Sequence, residues 1–194
     1  MARPQQRGDA DTPARILDSA ERLVQIRGFN GFSYADVASE LKVTKALHYH
    51  FPGKAELGEA LVERYAARFA DALSAIDRRG GDAPAKLEAY ANIYADVLRD
   101  RRMCLCGMLA AEYDTLPEPM RQAIIGFFDD SEVWLTNVLE QGQGEGTLHL
   151  TGSASDEAQA IVSGLEGALL VARPYGDVAR FQAAATRLLS SLSK

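Results

Sequence analysis

Apolar residues recur along this chain at helical spacing, and no stretch of any length alternates in the two-residue rhythm of a strand. Ile16, Leu17, Ala20, Leu23 and Val24 form a first stripe. Thr12 is placed to cap it with Pro13 in the first turn, and Gly28 to end it. Val37, Ala38 and Leu41 share one face of a short helix over about residues 34–41, introduced by the capping-box pattern Ser33-Tyr34-Ala35-Asp36. Thr44 is a candidate cap for the next helix, which must be short because Pro52 disfavours helical geometry at Phe51. A long stripe of Leu57, Leu61, Tyr65, Phe69, Leu73 and Ile76 starts near Lys54 and stops at Gly80-Gly81. Pro84 opens a helix carrying Leu87, Tyr90, Ile93, Tyr94, Val97 and Leu98, and another is predicted over residues 103–113. Residues 119–140 carry Ile124, Phe127, Phe128, Trp134, Leu135 and Val138. A glycine-rich loop over 142–152 then leads to two last helices, about 155–171 and 177–192. The pattern predicts an all-α fold of about nine helices.

Residues 32–54 stand out. Two short helices separated by about three residues must cross steeply, which is helix-turn-helix geometry. The segment from Lys42 to Lys54 holds Lys42, Lys45, Lys54 and two histidines, and no acidic residue. Thr44, Lys45, His48, Tyr49 and His50 can all donate hydrogen bonds to phosphates or base edges. The plainer reading is a solvated helix end with Tyr49 and Phe51 turned to the core.

The residues Arg15-Ile16-Leu17, Ala20, Leu23, Gly28-Phe29, Phe32-Ser33, Val37-Ala38, Val43-Thr44-Lys45, Leu47-His48-Tyr49-His50-Phe51-Pro52 and Lys54 carry a resemblance. Together they make the run from Thr12 to Leu57 resemble the DNA-binding domain of the TetR family of bacterial transcriptional repressors. The resemblance implies that Tyr49, His50 and Lys54 hold phosphates and that Thr44 to His48 face the major groove. It gives the candidate DNA-binding set Ser33, Tyr34, Lys42, Thr44, Lys45, Ala46, His48, Tyr49, His50 and Lys54. Two departures from the family pattern are visible. Lys42 occupies the turn position where the family usually has glycine, and a non-glycine residue in a left-handed conformation costs about 1 kcal/mol. The second helix also reads one residue shorter around Ala46-Leu47, which rotates the residues beyond that point by about 100°.

Length and composition suit one compact unit or two small ones. No apolar run approaches a membrane span and the N-terminus has no signal-peptide core, so a cytoplasmic protein is expected. The net charge of −6 is uneven. Residues 1–56 carry 8 basic against 7 acidic side chains, while residues 57–194 carry 13 against 20. The acidic surplus therefore lies outside the DNA-binding segment, and a weakly charged head implies few phosphate contacts per subunit. The expected organisation is a flexible arm at 1–11 that includes Arg3 and Arg7, a helix-turn-helix domain at 12–56, and an effector-binding and dimerisation domain at 57–194.

No cofactor, catalytic residue or metal site is expected. Two of the three histidines, His48 and His50, lie two apart and cannot share a helix face. The run Gly142-Gln143-Gly144-Glu145-Gly146 follows a helix rather than a strand, so it reads as a connection rather than a phosphate loop. Tyr90, Tyr94, Cys104, Met108, Tyr113, Phe127 and Trp134 are the candidate lining of an effector pocket, suited to a largely apolar small molecule. Individually each is better explained by core packing, and only as a group do they suggest a cavity. Small residues in the penultimate helix (Ala160, Ser163, Gly164, Gly167, Ala168) allow close helix approach, either within the monomer or across a two-fold axis. The resemblance implies the second, as the last two helices of relatives pair into a four-helix bundle. Cys104 and Cys106 read as small buried apolar groups, or as a thiol sensor activated by Arg99, Arg101 and Arg102. The resulting expectation is a homodimeric repressor on a palindromic DNA operator, released by a small-molecule effector. The alternatives are a redox- or electrophile-sensing repressor, and an all-α carrier or enzyme with a degenerate head.

Overall fold

The computed structural model describes residues 6–192, and for residues 6–11 the backbone only. Nine α-helices and two short 3₁₀ turns make up the regular structure of the described residues. None of these helices is long and apolar enough to cross a membrane. The chain packs as two compact units, Met1–Tyr65 with Leu105–Ile124, and Ala66–Cys104 with Ile125–Lys194.

In the first unit, α1 (Gln6–Arg27) begins upstream of the expected Thr12 start. Pro13 lies inside it, where it withholds one N–H from the helical ladder. The expected flexible arm falls partly on this helix and partly on residues 1–5, which lie outside the described residues, as do the side chains of Arg3 and Arg7. Gly28 (φ 83°) ends α1 in the left-handed conformation. Next, α2 (Tyr34–Leu41) starts at Ser33, whose hydroxyl accepts from Asp36 N while Asp36 Oδ2 accepts from Ser33 N at 2.7 Å. Each group satisfies an orphan donor of the other's turn. Lys42 (φ 59°, ψ 40°) closes α2 in the left-handed region, the geometry the family serves with glycine. The following helix, α3 (Thr44–His50), has Val43 rather than Thr44 as its N-cap, with no side-chain capping bond. The short spacer puts Val43 at the half-helical position and makes Thr44 the first helical residue.

Leu47 of α3, Val37 of α2 and Ile16, Ala20 and Val24 of α1 are all fully buried. Then α4 (Lys54–Arg79) buries its predicted stripe, Leu57, Leu61, Tyr65, Phe69, Leu73 and Ile76. Its first part, to Tyr65, belongs to this unit. There Arg64 ties α4 to α1, donating to Asp18 Oδ1 and Glu21 Oε2, both at 2.9 Å.

The helix expected over 103–113 is shorter: α6 (Leu105–Ala110) is followed by a 3₁₀ turn, Tyr113–Thr115. The last turn of α6 tightens because Glu112 N bonds to Leu109 O, a three-residue closure, instead of extending the ladder. α7 (Glu118–Glu145) runs five residues past the expected end at 140 and takes in part of the expected glycine-rich loop. Gly142 lies within α7, packed so closely that a Cβ there would lie 2.6 Å from the Ala83 side chain and from Leu148. The helix stops at Gly146 (φ 70°).

In the second unit, α5 (Ala83–Arg99) is capped by Asp82, whose side chain accepts from Ala85 N at 3.0 Å, with Pro84 in the first turn. Asp77 of α4 accepts from Lys86 of α5 (3.0 Å) and from Trp134 Nε1 of α7 (2.8 Å), so one carboxylate joins three helices. The last two helices are α8 (Ala154–Ala172), capped by Ser153, and α9 (Val178–Ser190), capped by Asp177. They approach so closely that a Cβ on Gly164 would sit 2.7 Å from Leu188. Leu170 and Val171, by contrast, are 59% and 56% exposed on α8.

Candidate nucleic-acid interface and buried polar cluster

The first unit presents α3 outward. Leu47 anchors it, and Lys42, Thr44, Lys45, His48 and Tyr49 are exposed, Tyr49 at 82%. Ala46 and His50 are half-buried. Such burial of one residue under a row of exposed donors and an exposed aromatic is unusual for an ordinary surface helix, where a large ring would turn inward. The Tyr34 and His48 rings meet edge to face at 5.1 Å, as do Tyr49 and His50 at 5.0 Å, so the aromatic row is ordered by itself.

Three of the ten expected DNA-binding residues make side-chain hydrogen bonds within the unit. Ser33 caps α2. The Tyr34 hydroxyl donates toward the carbonyls of Phe51 and Gly53, which pins the α3–α4 turn to α2. Burial, helped by the nearby Glu56 charge, pushes its pKa up to about 12, so it stays a donor. Lys54 Nζ donates to Phe32 O at 2.6 Å and lies over the rings of Phe29 (4.6 Å) and Phe32 (4.4 Å). Burial lowers its pKa, against the upward pull of Glu112 and Asp36.

A carboxylate the sequence did not single out governs the turn between α1 and α2. Glu112 accepts from the backbone N–H groups of Phe29 (2.5 Å) and Asn30 (3.3 Å), and Asn30 Nδ2 donates to Thr115 Oγ1 at 2.7 Å. Gly28 is needed twice here: its φ is positive, and a Cβ would lie 2.6 Å from Glu112 Oε1. The sequence carries no local signal for this contact, because its partners are more than 80 residues apart.

In the second unit, aromatic residues from α4, α5 and α7 surround a polar knot. Phe69 packs edge to face against Tyr90 (5.9 Å), Tyr94 (6.2 Å) and Phe127 (4.9 Å), and Tyr90 stacks on Trp134 at 5.7 Å. Within that wall the Tyr90 and Tyr94 hydroxyls are 3.1 Å apart. Ser131 bonds to Tyr90 and donates to Phe127 O at 2.8 Å. Burial drives both phenols well above their ordinary pKa. Glu166 of α8 completes the knot. Its carboxylate accepts the Cys104 thiol, burial pushes its pKa up to about 7, and its Oε1 is buried without a hydrogen-bond partner. In the sequence Glu166 stands out only as the one ionisable residue among residues 161–171 of α8, and nothing local ties it to Cys104.

Of the seven expected pocket residues, Tyr90, Tyr94, Cys104, Phe127 and Trp134 belong to this unit, where ring contacts and the polar knot gather them. Met108 and Tyr113 belong to the first unit, where Tyr113 lies under the Arg121 guanidinium at 5.7 Å. None of the seven lines the separate groove of about 530 Å³ between α5 and α9, which has Leu87, Ala91 and Phe181 on its apolar side. Cys104 and Cys106 are both reduced and buried. Of the three arginines preceding them, Arg99 pairs with Asp96 and Arg102 with Asp100.

Two family models match the chain. The one described as "Bacterial regulatory proteins, tetR family" covers residues 16–61, and "Tetracyclin repressor-like, C-terminal domain" covers residues 83–188. Among curated proteins the chain is 30% identical to the transcriptional regulator AcuR of Cereibacter sphaeroides, over 88% of this chain and 81% of that one. It is 29% identical to the HTH-type transcriptional repressor NemR of Escherichia coli K12, over 84% of each. A TetR-family transcriptional regulator from Agrobacterium tumefaciens superimposes with a TM-score of 0.92 at 31% identity, over 96% of this chain and all of that one. With α3 exposed in a matched N-terminal region and a second match over residues 83–188, the chain belongs to the TetR family of bacterial transcriptional regulators.

Proposed function

We propose that this regulator is a repressor in the cytoplasm that binds a palindromic operator as a homodimer and is released by a small-molecule effector. The observation that carries the reading is the exposed row on α3 above the buried Leu47. Thr44, Lys45, Ala46 and His48 would face the groove, with Lys42, Tyr49 and His50 on phosphates. Ser33, Tyr34 and Lys54 serve the same surface by holding α2, α3 and the start of α4 together. The exposed Leu170 and Val171 on α8 support a two-fold contact through α8 and α9, which would space two recognition helices about 34–36 Å apart. The tyrosine and glutamate knot supports an effector site in the second unit. A ligand there would act by favouring the form that does not fit DNA, and α4, which contributes residues to both units, is the element it would shift. The NemR relative is named a repressor.

The test is selection of genomic DNA fragments by the purified protein at moderate salt, followed by sequencing. Enrichment of one palindromic motif is the expected result, and retention no better than random would overturn the reading. A thiol-sensing version of the same repressor draws on the Cys104 thiol bonded to Glu166. Unchanged retention of the selected DNA after complete thiol modification would end that version.

A further inference from the structure

Glu166 sits where a carboxylate is costly. Its Oε1 is buried and unpaired, and a buried acceptor left unmet is unfavourable. Such an orphan in a native fold calls for a water, an ion or a ligand. Among the described residues Glu166 has no ion-pair partner. The polar groups around it, the Cys104 thiol and the Tyr90 and Tyr94 hydroxyls, are weak acids that add negative character when they ionise and never positive. An anion entering this site would meet no compensating charge. A cation would meet a carboxylate oxygen and two hydroxyl oxygens within an aromatic surround. The cluster is also not sealed throughout: Tyr90, Tyr94, Cys104 and Ser131 are buried, but Trp134 and Glu166 are only half-buried.

We infer that the effector of this regulator is a hydrophobic amine whose ammonium group binds Glu166 Oε1 and the Tyr90–Tyr94 hydroxyl pair, with its apolar body against the rings of Phe69, Phe127 and Trp134. This rests on the second unit being the effector-binding region. An ammonium offers three donors, which the carboxylate oxygen and the two hydroxyls can accept. Burial keeps the carboxyl poised between its two forms near neutrality, and the amine would draw it to the carboxylate. Amine binding should therefore tighten as pH rises through about 7.

Three probes with one body and different heads test the class: phenethylamine, phenethyl alcohol and hydrocinnamate. Titration calorimetry and thermal shift are run on the intact protein and on Glu166→Gln, with fragment retention measured on the intact protein. The expected result is binding of phenethylamine alone, tightening from about pH 6 to about pH 8. Loss of about tenfold or more in affinity is expected in Glu166→Gln, since a buried charge pair is broken. The Tm of the unliganded Gln variant shows that it folds, and the pH dependence in the unmutated protein stands independently of it. Binding of hydrocinnamate or the alcohol as strong as that of the amine overturns the amine class. So does an amine affinity that Glu166→Gln leaves unchanged, or the absence of binding by the amine. If the alcohol or acid both binds and releases DNA, effector control stands and the amine class fails. If the amine binds through Glu166 and DNA retention is unaltered, the site stands and effector control fails.

Discussion

At the scale of single residues, Lys42 and Glu166 each carry a cost that a substitution can read out. Lys42 holds φ 59°, which costs an L-residue about 1 kcal/mol or more. Lys42→Gly removes that strain but makes the unfolded chain freer, so a net gain of about 0.5 kcal/mol in urea unfolding is expected, with an unchanged slope. If Lys42 also touches a phosphate, the same variant lowers the salt dependence of DNA binding by about one counterion per subunit. Glu166 is the second position. Its carboxyl is ordinary in the unfolded chain, near 4.5, and pushed up to about 7 by burial when folded, with the Cys104 thiol pulling the other way. Between those values the folded state binds the proton and the unfolded state does not, so stability falls as pH rises through that window and is level above it. The groups that face it are the Cys104 thiol and the Tyr90 and Tyr94 hydroxyls. Glu166→Gln should flatten this fall, raising Tm by a few degrees near about pH 8 and leaving it little changed near about pH 5. Equal shifts at both pH values would refute the assignment.

Among the elements, the joint between α1, α2 and the segment after α6 depends on Glu112. Gly28→Ala forces a Cβ into the left-handed region and toward Glu112 Oε1. The carboxylate can swing away, but only by giving up Phe29 N and Asn30 N. The expected loss is about 2 kcal/mol, summing the strain and the abandoned hydrogen bonds. Glu112→Gln, which keeps one acceptor oxygen, should lose less than Glu112→Ala, as chemical denaturation of the three variants would show. This joint marks the boundary of what the sequence reveals. The start of α2 was legible from Ser33 and Asp36, and that of α5 from Pro84, because caps and first-turn residues act on their own helix. The stripe of α4 was legible because periodicity is a property of one element. The short α6, the long α7 and the roles of Glu112 and Glu166 were not. Glu112 and Glu166 are decided by partners distant in sequence, Phe29 and Cys104, while α6 stops where Glu112 N closes onto Leu109 O rather than at any residue-type signal.

For the whole molecule, the distribution of charge and apolar surface sets what DNA binding demands. The first 56 residues carry a net charge of only +1, from 8 basic and 7 acidic side chains, so one head alone can release few counterions. Under the proposed reading, high affinity comes from two heads acting together, and the α8 face is where a second copy would be held. Leu170 and Val171 are more than half exposed there, beside Gly167, where a Cβ would meet nothing within 4 Å. A side chain that is already exposed contributes little to the fold of its own subunit. Leu170→Asp should therefore leave helix content and Tm measured at low concentration nearly unchanged, while sedimentation shifts to the 21.1 kDa monomer. Retention of the selected DNA should fall by at least about a hundredfold, since the second half-site contact is no longer intramolecular. A Leu170→Asp protein that stays dimeric places the two-fold contact elsewhere. One that becomes monomeric yet binds DNA with full strength means that a single head suffices, and that the weak charge of this head is made up by base contacts from Thr44 to His48.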